Sequence, residues 1–179
     1  MIWAITASEA FFRQNNKEMA NKFHFYSWPL GKGFEFSEWC DYCRAHPDTH
    51  ESVAEFGGFQ FNVNGYCLNA DRTKRVEAGN AYFEVGVYLA PQDKKVGAPL
   101  RWNYTISWNE GQGGGCGGCT EVEGDREDAV LAGLRACEEK FKRAAEWYGD
   151  YYPNRRDWCL SLARRVREEY ENSCQLTLF

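Results

Sequence analysis

The chain has 179 residues, of which 44% are hydrophobic and 16% aromatic, and its formal net charge is −5. This length fits one domain with a substantial core, and the acidic balance argues against a general nucleic-acid-binding protein, whose surface is normally basic. No apolar run approaches the length of a membrane span, and Met1–Ile5 lacks the charged and apolar pattern of a signal peptide. We therefore expect a cytoplasmic protein that binds neither membranes nor, directly, nucleic acids, and whose 8 Cys stay reduced.

The N-terminal third of the chain predicts mainly short helices. Thr6 and Glu9 form a capping box, which predicts the start of a helix. Ser37 is placed to cap a second helix, which His46-Pro47 should end. The expected elements are, in order, a helix at Ala7–Asn21, a strand at Phe23–Ser27, a helix after Ser37 and a helix at Thr49–Phe56.

The middle of the chain shows the two-residue period of half-buried strands. Asn64-Gly65 is a strong hairpin signal between the alternating stretch Phe59–Val63 and the returning stretch Tyr66–Leu68. In the clearest strand, Leu100–Asn109, every second residue is a large apolar one, so these residues should share a face. The remaining expected elements are a strand at Tyr82–Leu89, a loop at Gly111–Gly118 and a short strand at Thr120–Val122.

Two long helices are expected to complete the fold. Asp125 is placed to cap the first, in which apolar residues recur at three- and four-residue steps as far as Tyr148. Tyr151-Tyr152-Pro153 should separate it from the second, at about Arg156–Glu171. In the second helix the four-residue spacing of Trp158, Leu162, Val166 and Tyr170 predicts a buried face.

This order of elements predicts an α+β protein with an antiparallel sheet of about four to five strands packed against helices. We expect a single domain at residues 1–172, followed by a short flexible docking tail at 173–179. The segment from Tyr82 to Phe141 reads strand-strand-strand-helix, and in this order it resembles the double-stranded-RNA-binding-domain-like arrangement of small phage and antitoxin proteins.

Two Cys-x-x-Cys pairs are the candidate metal ligands. Cys40, Cys43, Cys116 and Cys119 would supply four thiolates for a zinc ion if the pairs met in space, and a second set would combine Cys40 and Cys43 with His46 and His50. The alternative is that Cys40 and Cys43 are core residues and that the second pair lies in a surface loop. We expect no cofactor, with zinc as the alternative.

The segment Trp39–Cys43 also resembles the Trp-Cys-x-x-Cys motif of thioredoxin-like oxidoreductases. In that family the motif follows a buried central strand, whereas here only Phe34–Phe36 precedes it. No set of catalytic residues is apparent elsewhere, so we do not expect an enzyme.

The last five residues read Gln-Leu-Thr-Leu-Phe and follow a strongly charged helix. They resemble the peptide by which bacterial replication and repair proteins dock on the β sliding clamp, with Gln175, Leu176, Leu178 and Phe179 on its fixed positions. Leu178 and Phe179 would be apolar anchors, and Gln175 would form hydrogen bonds at the rim of the pocket. The alternative is a terminal strand whose leucines cover the protein's own sheet.

The resemblance implies a non-enzymatic phage or mobile-element protein that binds the sliding clamp and recruits or blocks a replication or repair factor, with a second protein partner that the sequence does not identify. The rival interpretation is an inhibitor or adaptor of a host defence complex, of the anti-CRISPR or anti-restriction type, that acts through the acidic, aromatic-rich body. A zinc-binding or thioredoxin-like protein is the third.

Overall fold

The computed structural model describes residues 24–47 and 50–176. The strands are β1 His24–Ser27, β2 Lys32–Glu35, β3 Ala54–Phe56, β4 Phe59–Phe61, β5 Asp71–Ala78, β6 Ala81–Pro91, β7 Leu100–Asn109 and β8 Gly114–Glu121. The helices are α1 Phe36–Ala45, α2 Arg126–Tyr148 and α3 Pro153–Leu176, with short 3-10 turns at Gln92–Lys94 and Gly149–Tyr151. The α+β prediction is confirmed, whereas the helix expected at Ala7–Asn21 lies outside the described residues.

The chain divides into two compact units. Among the described residues, the first comprises 24–47, 50–55, Gln60–Leu68 and Lys94–Val96, and the second comprises Phe56–Phe59, Asn69–Asp93 and 97–176. The second unit contains the main sheet and the two long helices.

The first unit is built on aromatic contacts. Strands β1 and β2 form an antiparallel hairpin, and α1 follows directly. The buried ring of Phe34 lies 5.6 Å from Trp39 and 5.3 Å from Tyr42, measured between ring centroids. Ser37 does not cap α1, because the helix already begins at Phe36 and the Glu38 carboxylate accepts a hydrogen bond from Glu35 N at 3.0 Å.

The prediction of a helix at Thr49–Phe56 is wrong. Residues 51–53 have no regular structure, and Ala54–Phe56 forms strand β3, which pairs with β4. Gly57 and Gly58 join the two strands with φ angles of 58° and 84°. A type I′ hairpin turn requires two such positive φ angles in succession, which glycine adopts most readily. The Gly-Gly turn therefore overrides the local helix pattern.

The turn predicted at Asn64-Gly65 is confirmed. The Asn62 side chain accepts hydrogen bonds from Asn64 N at 3.1 Å and Tyr66 N at 2.9 Å. Gly65 has a φ of 81°, and a Cβ atom there would lie 2.0 Å from Trp28 Nε1. A residue with a side chain would have to displace the buried Trp28, so both the turn and its packing require glycine.

The main sheet has the antiparallel order β5-β6-β7-β8. The bounds predicted for β7 are the observed ones, and the predicted β6 is confirmed with one additional residue at its start and two at its end. Strand β5 was not predicted. The loop expected at Gly111–Gly118 is wrong in its second half, because β8 begins at Gly114 and Asn109 pairs with that residue.

The core of the second unit lies between the sheet and the two long helices. Its buried residues are Ala81, Phe83, Val85 and Val87 of β6, Ile106 of β7, Ala129, Val130, Leu134, Cys137 and Phe141 of α2, and Leu162, Ala163 and Val166 of α3. The Asp125 cap is confirmed, since its carboxylate accepts from Glu127 N at 2.8 Å and Asp128 N at 3.1 Å.

Helix α2 approaches strand β6 closely at Gly133. A Cβ atom at this position would lie 2.3 Å from a methyl carbon of Val85, whose side chain is fully buried. Glycine lowers helix stability by roughly 1 kcal/mol relative to alanine, so its presence in the middle of α2 needs a packing reason. The contact with Val85 supplies that reason.

Helix α3 is longer than the helix predicted at Arg156–Glu171. It begins at Pro153, a residue suited to the first turn because its missing N–H would have no partner inside the helix. It continues through Leu176. None of the helices in the described part of the chain is both long and apolar enough to cross a membrane.

A buried carboxylate links α2 to α3. Glu138 is 6% exposed, and one of its oxygens lies 2.8 Å from Lys142 Nζ and 2.9 Å from Arg167 Nη2. Burial acts to raise the pKa of Glu138, but the hydrogen bonds and charges of Lys142 and Arg167 outweigh this effect and hold the pKa below its usual value.

Replacing Gly133 by Ala should destabilise the protein by about 1–3 kcal/mol, because the new methyl group overpacks a stiff, buried valine. This loss exceeds the gain in helix propensity. Asn172→Ala, at an exposed position of α3, is the control and should stabilise slightly. Thermal and urea unfolding measure both variants, and an unchanged or increased stability of Gly133→Ala would contradict the close packing.

Lowering the pH should reduce the free energy of unfolding, and protonation of Glu138 should account for part of this loss. Its folded-state pKa is lowered, so its contribution is present above its unfolded pKa, near 4.5, and is lost as the pH falls through the lower folded-state value. Urea unfolding between about pH 6 and 3 should therefore show a smaller acid loss for Glu138→Gln than for wild type. The control is Glu139→Gln, which alters a neighbouring exposed carboxylate. Equal slopes for the two variants would contradict the assignment.

Candidate functional site

The expected docking peptide overlaps the end of α3. Gln175 and Leu176 lie in the last helical turn, although the structure describes only their backbone. Thr177, Leu178 and Phe179 lie outside the described residues. The interaction of Gln175, Leu176, Leu178 and Phe179 with a clamp therefore stays a prediction, with the end of α3 as its attachment point.

The two cysteine pairs lie in different units. Cys40 and Cys43 are half-buried in α1, and Cys116 is exposed in β8. The structure describes the backbone of Cys119 but not its side chain. Among the described side chains, no three of the His, Cys, Asp and Glu residues cluster as metal ligands. Zinc stays an alternative, and the expected absence of a cofactor stays a prediction.

The setting of Cys40 differs from that of a thioredoxin-like site. Helix α1 begins at Phe36, so Cys40 lies in its second turn rather than at its N-terminus. The strand before it, β2, belongs to a two-stranded hairpin and not to a central sheet. The reactive thiol of such sites lies at a helix N-terminus, and Cys40 does not occupy that position.

The structure also contains a pocket that the sequence did not indicate. It has a volume of about 290 Å³. Its lining residues come from the turn after β7, the end of α2 and the start of α3, and they are Glu110, Gly111, Gln112, Tyr148, Asn154, Arg155, Trp158 and Cys159. We call it the Glu110 pocket. All of these residues belong to the second unit.

The turn after β7 positions Glu110 at the pocket. Glu110 N donates to Gly113 O at 2.9 Å, which closes the turn. A Cβ atom at Gly113 would lie 3.1 Å from Glu110 Oε1, and one at Gly114 would lie 2.3 Å from Trp108 O. The glycines that suggested a loop thus allow the chain to turn closely around the Glu110 side chain.

The junction of α2 and α3 supplies the partners of Glu110. Tyr148, the last residue of α2, donates its hydroxyl hydrogen to Glu110 Oε1 at 3.1 Å. Trp158 Nε1 donates to Glu110 O at 3.0 Å. Glu110 and Tyr148 are 9% and 5% exposed, whereas Trp158 is 37% exposed. The pocket therefore has a buried polar floor and a partly open aromatic wall.

The second carboxylate oxygen of Glu110 lacks such a hydrogen bond in the part of the chain that the structure describes. Oε2 is buried and has no hydrogen-bond partner among the described residues. The Arg155 guanidinium does not pair with it, and Arg155 Nη2 donates instead to Gln112 Oε1 at 3.2 Å. Its central carbon lies 5.5 Å from the ring centroids of both Tyr148 and Tyr152, a distance suited to cation–π attraction.

Two acidic groups at the pocket have raised pKa values. Burial is the main cause of the raised pKa of the Tyr148 hydroxyl, followed by its hydrogen bond to Glu110 and the Glu110 charge, against an opposing effect of Arg155. Burial, with a smaller contribution from the Glu110 charge, raises the pKa of the Cys159 thiol to about 11. Both groups therefore stay protonated near neutral pH, and Tyr148 can act as a donor to Glu110.

Exposed aromatic residues surround the junction. Trp147 is 79% exposed, Tyr151 93% and Tyr152 55%. We call these three residues the aromatic rim. Large aromatic side chains and arginine are enriched at the energetic centres of protein interfaces. The arrangement is suited to binding a partner, and its sequence signal is the density of aromatic residues between Trp147 and Trp158. From the sequence we interpreted Tyr151 and Tyr152 as part of a helix break, and Tyr148 and Trp158 as core residues of the two helices.

No family model, curated protein or solved structure matches this chain.

Replacing Tyr148 by Phe should destabilise the protein by about 1–3 kcal/mol, because it leaves Glu110 Oε1 buried without its donor. Tyr151→Phe, which removes the same hydroxyl from a residue that is 93% exposed, is the control and should have almost no effect. Urea unfolding at neutral pH measures both variants. Equal stabilities for the two would show that the Tyr148–Glu110 hydrogen bond contributes nothing.

Proposed function

We propose that this protein is a non-enzymatic binding protein that docks on the bacterial β sliding clamp through Gln175, Leu176, Leu178 and Phe179. The observation that carries the proposal is the match of all four fixed positions of the docking motif, at the end of helix α3. Because the clamp acts on DNA in the bacterial cytoplasm, the proposal places the protein there.

The anchoring of α3 supports this role. Val166 is fully buried and Ser173 is 8% exposed, so the helix is held in the second unit almost to the start of the motif. The last four carbonyl groups of a helix have no partner within it, and helix ends fray readily. Gln175 and Leu176 can therefore leave the helix at small cost and bind in an extended conformation with residues 177–179.

The chemistry of the peptide suits a short docking segment. Leu178 and Phe179 would bury apolar surface in a pocket of the clamp, and a few such anchors dominate the affinity of small interfaces. Gln175 offers both a donor and an acceptor to the edge of that pocket. Thr177, at the variable position, would contribute little.

The body of the protein would act on a second partner. In our proposal the protein is a phage or mobile-element product that recruits or blocks a replication or repair factor. The rival role, inhibition of a host defence complex of the anti-CRISPR or anti-restriction type, is favoured by one observation, which is the exposure of the aromatic rim. Both roles require binding by the body without catalysis.

Replacing Leu178 and Phe179 together by Ala should weaken clamp binding at least tenfold, because both apolar anchors are lost. Thr177→Ala is the matched control and should bind like wild type. Fluorescence anisotropy with purified, labelled β clamp measures the affinities. Equal affinity of wild type and the double variant would overturn the proposal, as would the absence of any binding by wild type.

A further inference from the structure

The Glu110 side chain, which lines the pocket, carries a buried acceptor that no described residue pairs with. Glu110 is 9% exposed, its Oε1 is bound by the Tyr148 hydroxyl, and its Oε2 has no hydrogen-bond partner among the described residues. Burying a carboxylate oxygen without a donor is unfavourable, and a positively charged N–H group is the donor that best compensates for it. The unpaired oxygen therefore favours a cationic donor over a neutral one.

We propose that the Glu110 pocket binds an arginine or lysine side chain of a protein partner. The charged head would pair with the Glu110 carboxylate, and the aliphatic part would lie against Trp158. The volume of about 290 Å³ suits a single side chain rather than a large cofactor. This inference goes beyond the docking of the tail and does not depend on it.

Arginine fits the surroundings better than lysine. Its planar guanidinium stacks on aromatic rings and can donate two hydrogen bonds to one carboxylate. Rings are available at Tyr148 and Trp158, and the protein's own Arg155 already lies 5.5 Å from the Tyr148 ring. The net charge of −5 would favour the approach of a basic partner.

The aromatic rim indicates a protein rather than a free amine as the source of the cation. Trp147, Tyr151 and Tyr152 extend apolar surface beyond the pocket, and a small amine would leave that surface uncovered. An arginine in a pocket surrounded by tyrosine and tryptophan is a common centre of a protein interface.

Arg155 is the competitor that the ligand must displace. It lines the pocket, and its side chain reaches Gln112 rather than Glu110. The neighbouring Arg156 is already neutralised by Asp150 at 2.5 Å and by Asp157 at 3.0 Å. Because the last torsion of a glutamate side chain is soft, the carboxylate can rotate towards an entering cation once Arg155 moves aside. The new charge-assisted hydrogen bonds would compensate for lengthening of the Tyr148–Oε1 bond.

The test follows the Trp158 indole N–H signal in the NMR spectrum of the ¹⁵N-labelled full chain, assigned by its loss in Trp158→Phe. The probes are N-acetyl-arginine methylamide and its neutral analogue N-acetyl-citrulline methylamide, titrated at constant ionic strength. We expect a saturable shift with the arginine probe and an affinity about tenfold above that of the citrulline probe. Equal affinities, or no saturable shift with arginine, would overturn the proposal.

Three variants test which charges control binding of the arginine probe. Glu110→Gln should reduce arginine binding to the citrulline level, Glu139→Gln should leave it unchanged, and Arg155→Gln should strengthen it by removing the competing charge. Unchanged binding by Glu110→Gln, or weaker binding by Arg155→Gln, would overturn the assignment. If Glu110→Gln fails to fold, the two probes on wild type and on Arg155→Gln decide the question.

Two further controls distinguish this proposal from binding of a free polyamine and from docking of the tail. Tighter binding of spermidine than of the arginine probe would assign the pocket to a free polyamine and overturn the protein-partner proposal. The Leu178→Ala and Phe179→Ala variant should bind the arginine probe normally, so failure of clamp docking and failure of the pocket are distinguishable.

Discussion

The approach of helix α2 to strand β6 is the constraint on which the second unit depends. Gly133 brings the helix backbone against Val85, and this contact sets the depth at which Leu134, Cys137 and Phe141 enter the core. Protein interiors are packed as densely as organic crystals, so a change of one methyl group at this point is transmitted to neighbouring residues. Tyr148 is the last residue of α2, so the position of the helix also determines where the Tyr148 hydroxyl donates to Glu110.

The parts of the fold that the sequence predicted are those in which side chains alternate or repeat strongly. Strand β7 alternates large apolar and polar residues over its whole length, and its bounds were predicted correctly. Strand β8 was interpreted mainly as a loop because its glycines have no side chains that could alternate. In β3, a helix-like local pattern gave way to the Gly57-Gly58 turn, whose two positive φ angles determine the hairpin.

The Glu110 pocket was beyond sequence reasoning for a different reason. A glutamate that directly follows a half-buried strand is ordinarily solvated. Its burial arises only when Tyr148 and Trp158, 38 and 48 residues away in the chain, close over it. The proposed docking motif presents the opposite case, because its residues are contiguous and the resemblance is visible without a tertiary structure. The chain would thus combine a proposed linear motif with a pocket that exists only in the folded state.

The alkylation rates of the buried thiols can measure how often the surrounding structure opens. Cys137 and Cys159 are fully buried, and burial raises their thiol pKa values to about 12 and about 11, so each should react with an alkylating reagent only when its surroundings open. Cys137 lies in the core between α2 and the sheet, Cys159 lies beside the Glu110 pocket, and the exposed Cys116 provides the rate of an unprotected thiol. The ratios of their labelling rates thus give separate opening free energies for the core and for the pocket, without any introduced probe.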